Sequence, residues 1–186
     1  MTVAGVVLAA GEGRRYGRPK ALVELDGERL VDRAVRLARD GGCTPVVVVA
    51  GAVPLAVAGA TVVDNPRWPS GMGSSLRAGL AALPDTASAV VVLLVDTPWL
   101  DQRAVRRLVA AHGAGAELAV ATYRGEAGHP VLLGRDHWPG AAAAAVGDSG
   151  ARAYLASRPD AVTRVDCTDV GWPADVDVPD DIARHT

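Results

Sequence analysis

Residues 11–20 read GEGRRYGRPK, and four cations, Arg14, Arg15, Arg18 and Lys20, crowd behind Gly11 and Gly13. Glycines let backbone N–H groups approach an anion closely, and cationic side chains can then surround it. The chemistry on offer is phosphate binding; the plain alternative is a surface turn with solvated charges. Two known phosphate patterns do not hold. The dinucleotide fingerprint G-x-G-x-x-G meets Tyr16 at its third glycine, and Gly17 comes one residue late. The pattern G-x-x-x-x-G-K-[ST] fails because Gly13 and Gly17 are too close, and Lys20 is neither beside Gly17 nor followed by Ser or Thr. Lys20 is also the only lysine among 19 Lys and Arg residues. An ammonium is a compact charge on a flexible stem, able to follow a phosphate oxygen through a displacement, whereas a guanidinium is a fixed fork.

Carboxylates that could serve phosphate chemistry lie elsewhere. Asp96 ends an apolar run and precedes Thr97-Pro98, where it is either a turn residue or a ligand for Mg²⁺. Far down the chain, ADVDVPDD offers Asp175 and Asp177, which share a face if the segment is extended. Asp180 and Asp181 suit the first turn of a closing helix. In GMGSS, the backbone and Ser74 or Ser75 can bind base, ribose or phosphate, or the serines can simply cap a helix. Asn65 can donate to a base or initiate the turn at Pro66. His129 has no Cys/His cluster nearby and reads as a turn histidine. Asp148 and Arg152 are spaced as a helix-side pair. Trp68, Trp99, Trp138 and Trp172 are given no role.

The elements that must position these groups alternate. Residues 3–8 form an apolar, β-branched run between glycines, as a strand buried on both faces does. Leu30, Val31, Ala34, Val35, Leu37 and Ala38 recur at helical spacing, and DGG closes that helix. Strands follow at residues 45–51, 61–63 and 89–95, with a helix over residues 74–83 stopped by Pro84. Asp101 is the N-cap of a helix reaching His112, and residues 117–123 are strand-like. RGEAGHPVLLG reads as a turn into a strand, and AAAAAVGDSGARAYLASRP as helix, break, helix. AVTRVDC and ADVDV read as short strands, and residues 179–184 as the closing helix. Such alternation predicts a three-layer α/β fold with a mostly parallel sheet, whose ligands bind at the carboxyl ends of its strands. The opening loop, DNPRWPSGMGSS and DTP all fall at such ends.

The totals set bounds. The 186 residues suit one domain with a full core, and 49% hydrophobic content with a net charge of −2 suits a globular chain. The near-neutral balance gives no broad attraction to nucleic acid or membranes. No apolar run approaches membrane-spanning length. Cys43 and Cys167 lack metal-type spacing and read as buried thiols. The opening MTVAGVVLAAG lacks a basic leader and reads as a strand, so a cytoplasmic location is expected.

The run LAAGEGRRYGRPKALVELDG resembles the opening of MobA-like nucleotidyltransferases, roughly L-A-[AG]-G-x-S-x-R-M-G-x-x-K. Leu8, Ala10, Gly11, Arg15, Gly17 and Lys20 match in register, while Gly13 replaces the usual Ser and Tyr16 the usual Met. The resemblance continues in NPRWPSGMGSSLRAGL, VVLLVDTP, GHPVLL, GDSGAR and DVDVPDD, in the family's order, and so covers nearly the whole chain. The aspartate segment departs from G-D-x-P by having Val95 before Asp96. These pieces look most like the molybdenum cofactor cytidylyltransferase branch.

That resemblance implies a Rossmann-like α/β/α fold of the nucleotide-diphospho-sugar transferase type, in one domain over residues 1–186. It implies transfer of a nucleoside monophosphate, from CTP, to the phosphate of molybdopterin with release of pyrophosphate, and a client molybdoenzyme downstream. It makes Lys20, Arg15 and Asp96 catalytic, and Asp96 and Asp177 the ligands of Mg²⁺. The nucleotide would meet Leu8, Ala9, Ala10, Gly11, Gly13, Arg14, Arg15 and Lys20, with Asn65, Ser74 and Ser75. His129, Asp148 and Arg152 would meet the acceptor. CTP is expected over GTP because guanylyl-transferring relatives carry a second glycine where Ala10 stands. Other phosphorylated acceptors, GTP as donor, a non-catalytic nucleotide-binding module and a nicotinamide-binding domain stay open as alternatives.

Overall fold

In a computed structural model, residues 1–183 are described. The chain opens with β1 (Thr2–Leu8), buried along almost its whole length. After the glycine-rich loop, β2 (Glu24–Leu25) and β3 (Glu28–Arg29) make a small hairpin. Asp26 and Gly27 at its tip both have positive φ, as a two-residue hairpin turn requires, and Asp-Gly is a favoured pair there. The sequence reading passed over this hairpin although the turn signal was present. Then come α1 (Leu30–Asp40), β4 (Val46–Ala50), β5 (Thr61–Asp64), α2 (Met72–Ala81) and β6 (Ala87–Leu94). The second half holds α3 (Gln102–Gly113), β7 (Leu118–Tyr123), β8 (Glu126–Gly134), α4 (Trp138–Ala144), α5 (Arg152–Ala156), β9 (Val162–Asp166) and α6 (Pro179–Ala183). The expected end of the last helix at Arg184 lies outside the described residues.

Seven strands form one sheet in the order β5-β4-β1-β6-β8-β7-β9. All run parallel except β8, which is antiparallel to both β6 and β7. Period-two alternation divides the apolar residues between two cores. On one face Val3, Val7, Val48, Val91 and Leu93 pack against α1 and α3. On the other, Val6, Leu8, Val47, Val49 and Val92 pack against α2, α4 and α5. The result is the three-layer α/β/α arrangement expected from the alternating elements. Asp101 caps α3 as expected, its side chain accepting from the Arg103 N–H at 2.8 Å. Residues 174–178 are not the strand that their alternating pattern suggested; the Val176 N–H donates to the Asp96 carbonyl at 2.8 Å instead of joining a ladder. Among the described residues no helix is long and apolar enough to cross a membrane.

Helix α2 lies close on the sheet at Gly79. A Cβ there would stand 2.6 Å from Val6 Cγ1 and 3.1 Å from Val49 Cγ2, both on central strands that cannot retreat. Ala is favoured over Gly in a helix by about 1 kcal/mol. Overpacking a tight core typically costs about 1–3 kcal/mol, so packing outweighs propensity. Gly79→Ala is therefore expected to lower the urea midpoint, with a net loss of about 1–2 kcal/mol. An unchanged or raised midpoint would show that α2 can move off the sheet.

Candidate active site

Strand register brings the site together. Leu8 pairs with Leu94, so β1 and β6 end side by side, and the loop after β1 faces the segment that carries Asp96. The chain returns to the same edge at residues 174–178. Val176 is fully buried and hydrogen-bonded to the Asp96 backbone, which fixes Asp175 and Asp177 on either side of it. Lys20 begins a single 3-10 turn, Lys20–Leu22, anchored by buried Ala21.

These placements converge on one ammonium. Lys20 Nζ donates to Asp96 Oδ2 at 2.8 Å and to Asp177 Oδ1 at 2.8 Å. Arg15 Nη1 donates to Asp177 Oδ2 at 3.0 Å from a largely exposed position. The Lys20 side chain is only 15% exposed. Burial alone would lower its pKa, but the attraction of Asp96 and the hydrogen bonds to Asp177 and Asp96 raise it overall. The hydrogen bond from Lys20 holds Asp177 below its ordinary value against partial burial. Asp175 has no such partner. Partial desolvation first, and then the charge of Asp96, push it up to about 6, although the residue keeps an exposed surface.

A cavity of about 430 Å³ opens beside this cluster. Leu8, Ala10, Gly11, Gly13, Arg14 and Arg15 line one side, with Lys20, Asp96 and Asp177 at its polar end. Gly13 has φ +68°, and a Cβ on it would collide with the Arg18 carbonyl at 1.9 Å. The Gly17 N–H closes the same turn on the Gly13 carbonyl at 2.8 Å. This fold-back is what gathers the cations at one mouth. Arg14 is paired with Glu12, which also lines the cavity and which the sequence reading had not assigned.

Several expected nucleotide contacts are placed differently. Ala9 points into the opposite core, as strand alternation past Val7 dictates. Asn65 is buried and does not line the cavity. Its amide donates to Ser74 Oγ at 2.8 Å and Ser75 Oγ at 3.1 Å, and its Oδ1 accepts from the Arg67 N–H at 3.0 Å. Ser74 Oγ is occupied by the Arg67 and Gly71 carbonyls, so only Ser75 of this trio reaches the cavity. Trp68 and Met72, which carried no sequence signal, form part of the wall. Gly51 makes room for that wall, since a Cβ there would lie 2.7 Å from the Cβ atoms of both Ala10 and Trp68.

The three expected acceptor residues are divided. Asp148 lines the cavity just described, held there because the Gly73 N–H donates to the Gly147 carbonyl at 2.8 Å. His129 and Arg152 line a separate cavity. No ion pair joins Asp148 to Arg152 among the described residues.

Asp96 and Asp177 direct one oxygen each at a single cation, the arrangement a divalent ion requires of two carboxylates. Among the described residues no group of three or more His, Cys, Asp or Glu side chains could hold a metal. Two carboxylates at the polar end of the cavity fit a divalent ion of the Mg²⁺ kind, which keeps waters and takes phosphate oxygens.

A family model described as the MobA-like NTP transferase domain matches residues 5–162. The chain is 39% identical to nicotine blue oxidoreductase of Paenarthrobacter nicotinovorans, over 98% of this chain and 95% of that protein. It is 37% identical to molybdenum cofactor guanylyltransferase of Rhodobacter capsulatus, over 76% of this chain and 68% of that protein. Among solved structures, Rv0371c of Mycobacterium tuberculosis H37Rv superposes with a TM-score of 0.86 at 28% identity, covering 100% of this chain and 97% of that one. A complex of Rv0371c with manganese superposes with a TM-score of 0.77 at 29% identity, covering 99% of this chain and 97% of that one. The sheet order and layers are those of the nucleotide-diphospho-sugar transferase fold.

The Asp175 carboxyl yields a test of the charge cluster. Its folded pKa lies above the ordinary 3.8, so its share of stability is present at low pH and is lost as pH rises through about 6. Asp175→Asn lacks that loss. The variant is expected to match wild type near pH 4, gain between pH 4 and 6, and stay more stable above that, by at most about 1 kcal/mol because solvent reaches the group. Thermal unfolding across this range checks it; a gap that narrows with rising pH would mean Asp175 is favourably paired.

Proposed function

The chain belongs to the MobA-like NTP transferase family, and on that premise we propose that it moves a cytidylyl group from CTP to the phosphate of molybdopterin, releasing pyrophosphate. The observation that carries the transfer reading is Lys20, held between Asp96 and Asp177 at the polar end of the larger cavity. An acceptor phosphomonoester is largely ionised near neutral pH, since its second pKa is about 6, so no general base is needed. The requirement is to hold two anions together and to neutralise charge on the five-coordinate phosphorus.

The chain's own groups divide that work. Backbone N–H groups of residues 11–13, with Arg14 and Arg15, hold the triphosphate. Lys20 follows the oxygen that gains charge. Asp96 and Asp177 would hold Mg²⁺, which when bound neutralises phosphate oxygens. His129 and Arg152 contact the acceptor, and a client molybdoenzyme receives the product. Lys20→Ala should lower turnover about a hundredfold or more, the scale of losing one transition-state donor. Lys20→Arg should recover little of it, because a fork replaces a point charge poorly. Pyrophosphate release is the measurement, and near-wild-type rates in either variant would remove Lys20 from the mechanism.

Cytidylyl rather than guanylyl transfer rests on the Ala10 methyl. Ala10 is buried at the cavity wall and packed against Gly51, and its carbonyl accepts from the Ala52 N–H at 3.0 Å, so the wall is fixed in place. A methyl there narrows the space for a purine more than for a pyrimidine. Contacts of this size are worth about 1–3 kcal/mol, giving a preference of roughly ten- to hundredfold. Calorimetric titration of the Mg²⁺-loaded protein with CTP and GTP gives the ranking. Tighter GTP binding, in line with the guanylyltransferase relatives, would overturn the choice of base but not of reaction. Ala10→Gly should narrow the gap.

A second reading follows from the near full-length match to nicotine blue oxidoreductase: reduction of a pigment of that kind by a hydride donor. Hydride transfer has no evident use for a lysine clamped by two carboxylates, and the dinucleotide fingerprint fails at Tyr16, so we rank it second. Bleaching of nicotine blue with a reduced nicotinamide, in the absence of any nucleoside triphosphate, would reverse the order.

A further inference from the structure

Lys20 cannot neutralise a phosphate and stay where it stands. Its Nζ sits between Asp96 Oδ2 and Asp177 Oδ1, 2.8 Å from each. A divalent ion bridging those oxygens needs the same ground. Mg²⁺ binds oxygen at about 2.0–2.1 Å, and an ammonium has no lone pair to offer it. Arg15 holds Asp177 Oδ2, so both oxygens of Asp177 are engaged. On Asp96 only Oδ2 accepts from a described residue, which leaves Oδ1 open to an incoming ion. An ion can therefore touch Asp96 first, but it reaches Asp177 only through the place that Lys20 fills.

The backbone under Lys20 is fixed and the side chain is not. The Leu22 N–H donates to the Pro19 carbonyl at 3.1 Å, the Val23 N–H donates to the Lys20 carbonyl at 3.0 Å, and Ala21 is buried. Only the four-carbon stem has to turn. The space open to it is the larger cavity, which Lys20 lines together with Gly11, Gly13, Arg14 and Arg15. An ammonium expelled from the carboxylates thus swings toward the wall assigned to the triphosphate.

We propose that Lys20 is an exchangeable counter-ion of the cation site. A divalent ion bridges Asp96 and Asp177 only by expelling the ammonium, and a phosphate, by taking the expelled ammonium, tightens the binding of the ion. By linkage the ion tightens the binding of the phosphate by the same factor. The ion alone binds weakly, because it leaves a largely buried ammonium without a partner. With a phosphate present every charge keeps a partner. Ion and nucleotide therefore enter together, and without them the two carboxylates are held closed on Lys20. The inference rests on the transfer reading only in taking Asp96 and Asp177 as the ligands and the anion as the phosphate of the nucleotide.

Lys20 is the only lysine, so the exchange is directly visible. Protein grown on isotope-labelled lysine gives one Nζ resonance by NMR. Mg²⁺ should move that resonance, and sulfate, a phosphate stand-in, should lower the Mg²⁺ needed about threefold or more against chloride at equal ionic strength. Mn²⁺ binding followed by electron paramagnetic resonance adds the variants. Lys20→Met should bind Mn²⁺ alone about tenfold more tightly than wild type and should lose the sulfate effect. Arg15→Gln removes a more exposed cation from Asp177 and leaves Lys20 in place, so it should change Mn²⁺ affinity by less than about threefold. A resonance unmoved at Mg²⁺ that displaces bound Mn²⁺ would overturn the exchange, and this arm needs no variant to fold. So would no Mn²⁺ binding by any form, a Lys20→Met affinity no better than wild type, a sulfate effect that survives in Lys20→Met, or an equal gain in Arg15→Gln, which would reduce the effect to the general field of the loop. If the resonance moves as expected but no pyrophosphate is released with any triphosphate and acceptor, the transfer reading fails and the exchange stands. If pyrophosphate is released while the resonance stays unmoved, the exchange fails and the transfer reading stands.

Discussion

Three carboxylates at the end of a parallel sheet would repel one another and resist desolvation, and one ammonium makes their assembly tolerable. Lys20 meets Asp96 and Asp177 at 2.8 Å each, and the two carboxylates together raise the pKa of an ammonium that burial alone would lower. The apolar energy that brings the acids there comes from elsewhere. Val176 is fully buried between Asp175 and Asp177, and its N–H closes on the Asp96 carbonyl. A hydrophobic plug thus holds a charged segment against the sheet, and Lys20 offsets the electrostatic cost that the plug imposes. Asp175, outside the bridge, bears the residue of that cost as a raised pKa. A guanidinium fork would engage the two carboxylates in a fixed plane, whereas the compact ammonium of Lys20 meets one oxygen of each.

The parts of the fold decided by local physics were legible in the sequence. Strands buried on both faces announce themselves by unbroken β-branched runs, as at residues 46–50, and the face of α1 by the spacing of its buried residues. The parts decided by distant partners were not. DVDV has the period of a strand, but residues 174–178 join no ladder: the Val176 N–H closes on the Asp96 carbonyl, the Asp177 and Val178 N–H groups donate to Asp181 Oδ2, and the Val176 side chain is buried. The direction of β8 depends on which strands flank it, and its own residues do not encode that. Asn65 is the sharpest case at the site. Its amide looks equally fit for a base or for a brace, and what decides is the placement of Ser74 and Ser75 on the first turns of α2, nine and ten residues on. Ala9 was within reach, because the alternation that turns Val3 and Val7 to one face carries Ala9 with them.

The separation of the two cavities comes down to a short loop and two glycines. Gly71 has φ +102°, and a Cβ on it would lie 2.4 Å from the Gly147 backbone; one on Gly73 would lie 2.5 Å from the Ala145 carbonyl. Only a turn without side chains lets the start of α2 press so closely on residues 145–148. That contact fixes Asp148 toward the larger cavity, and four residues later the same stretch delivers Arg152 to the smaller one. A single stretch of backbone therefore furnishes a carboxylate to one site and a guanidinium to the other. If the two sites hold the two partners of one reaction, their separation is set by this loop, and so is the distance between the reacting phosphates. Flexibility at Gly71 or Gly73 would be felt first as loss of that distance, before either partner lost its own binding contacts.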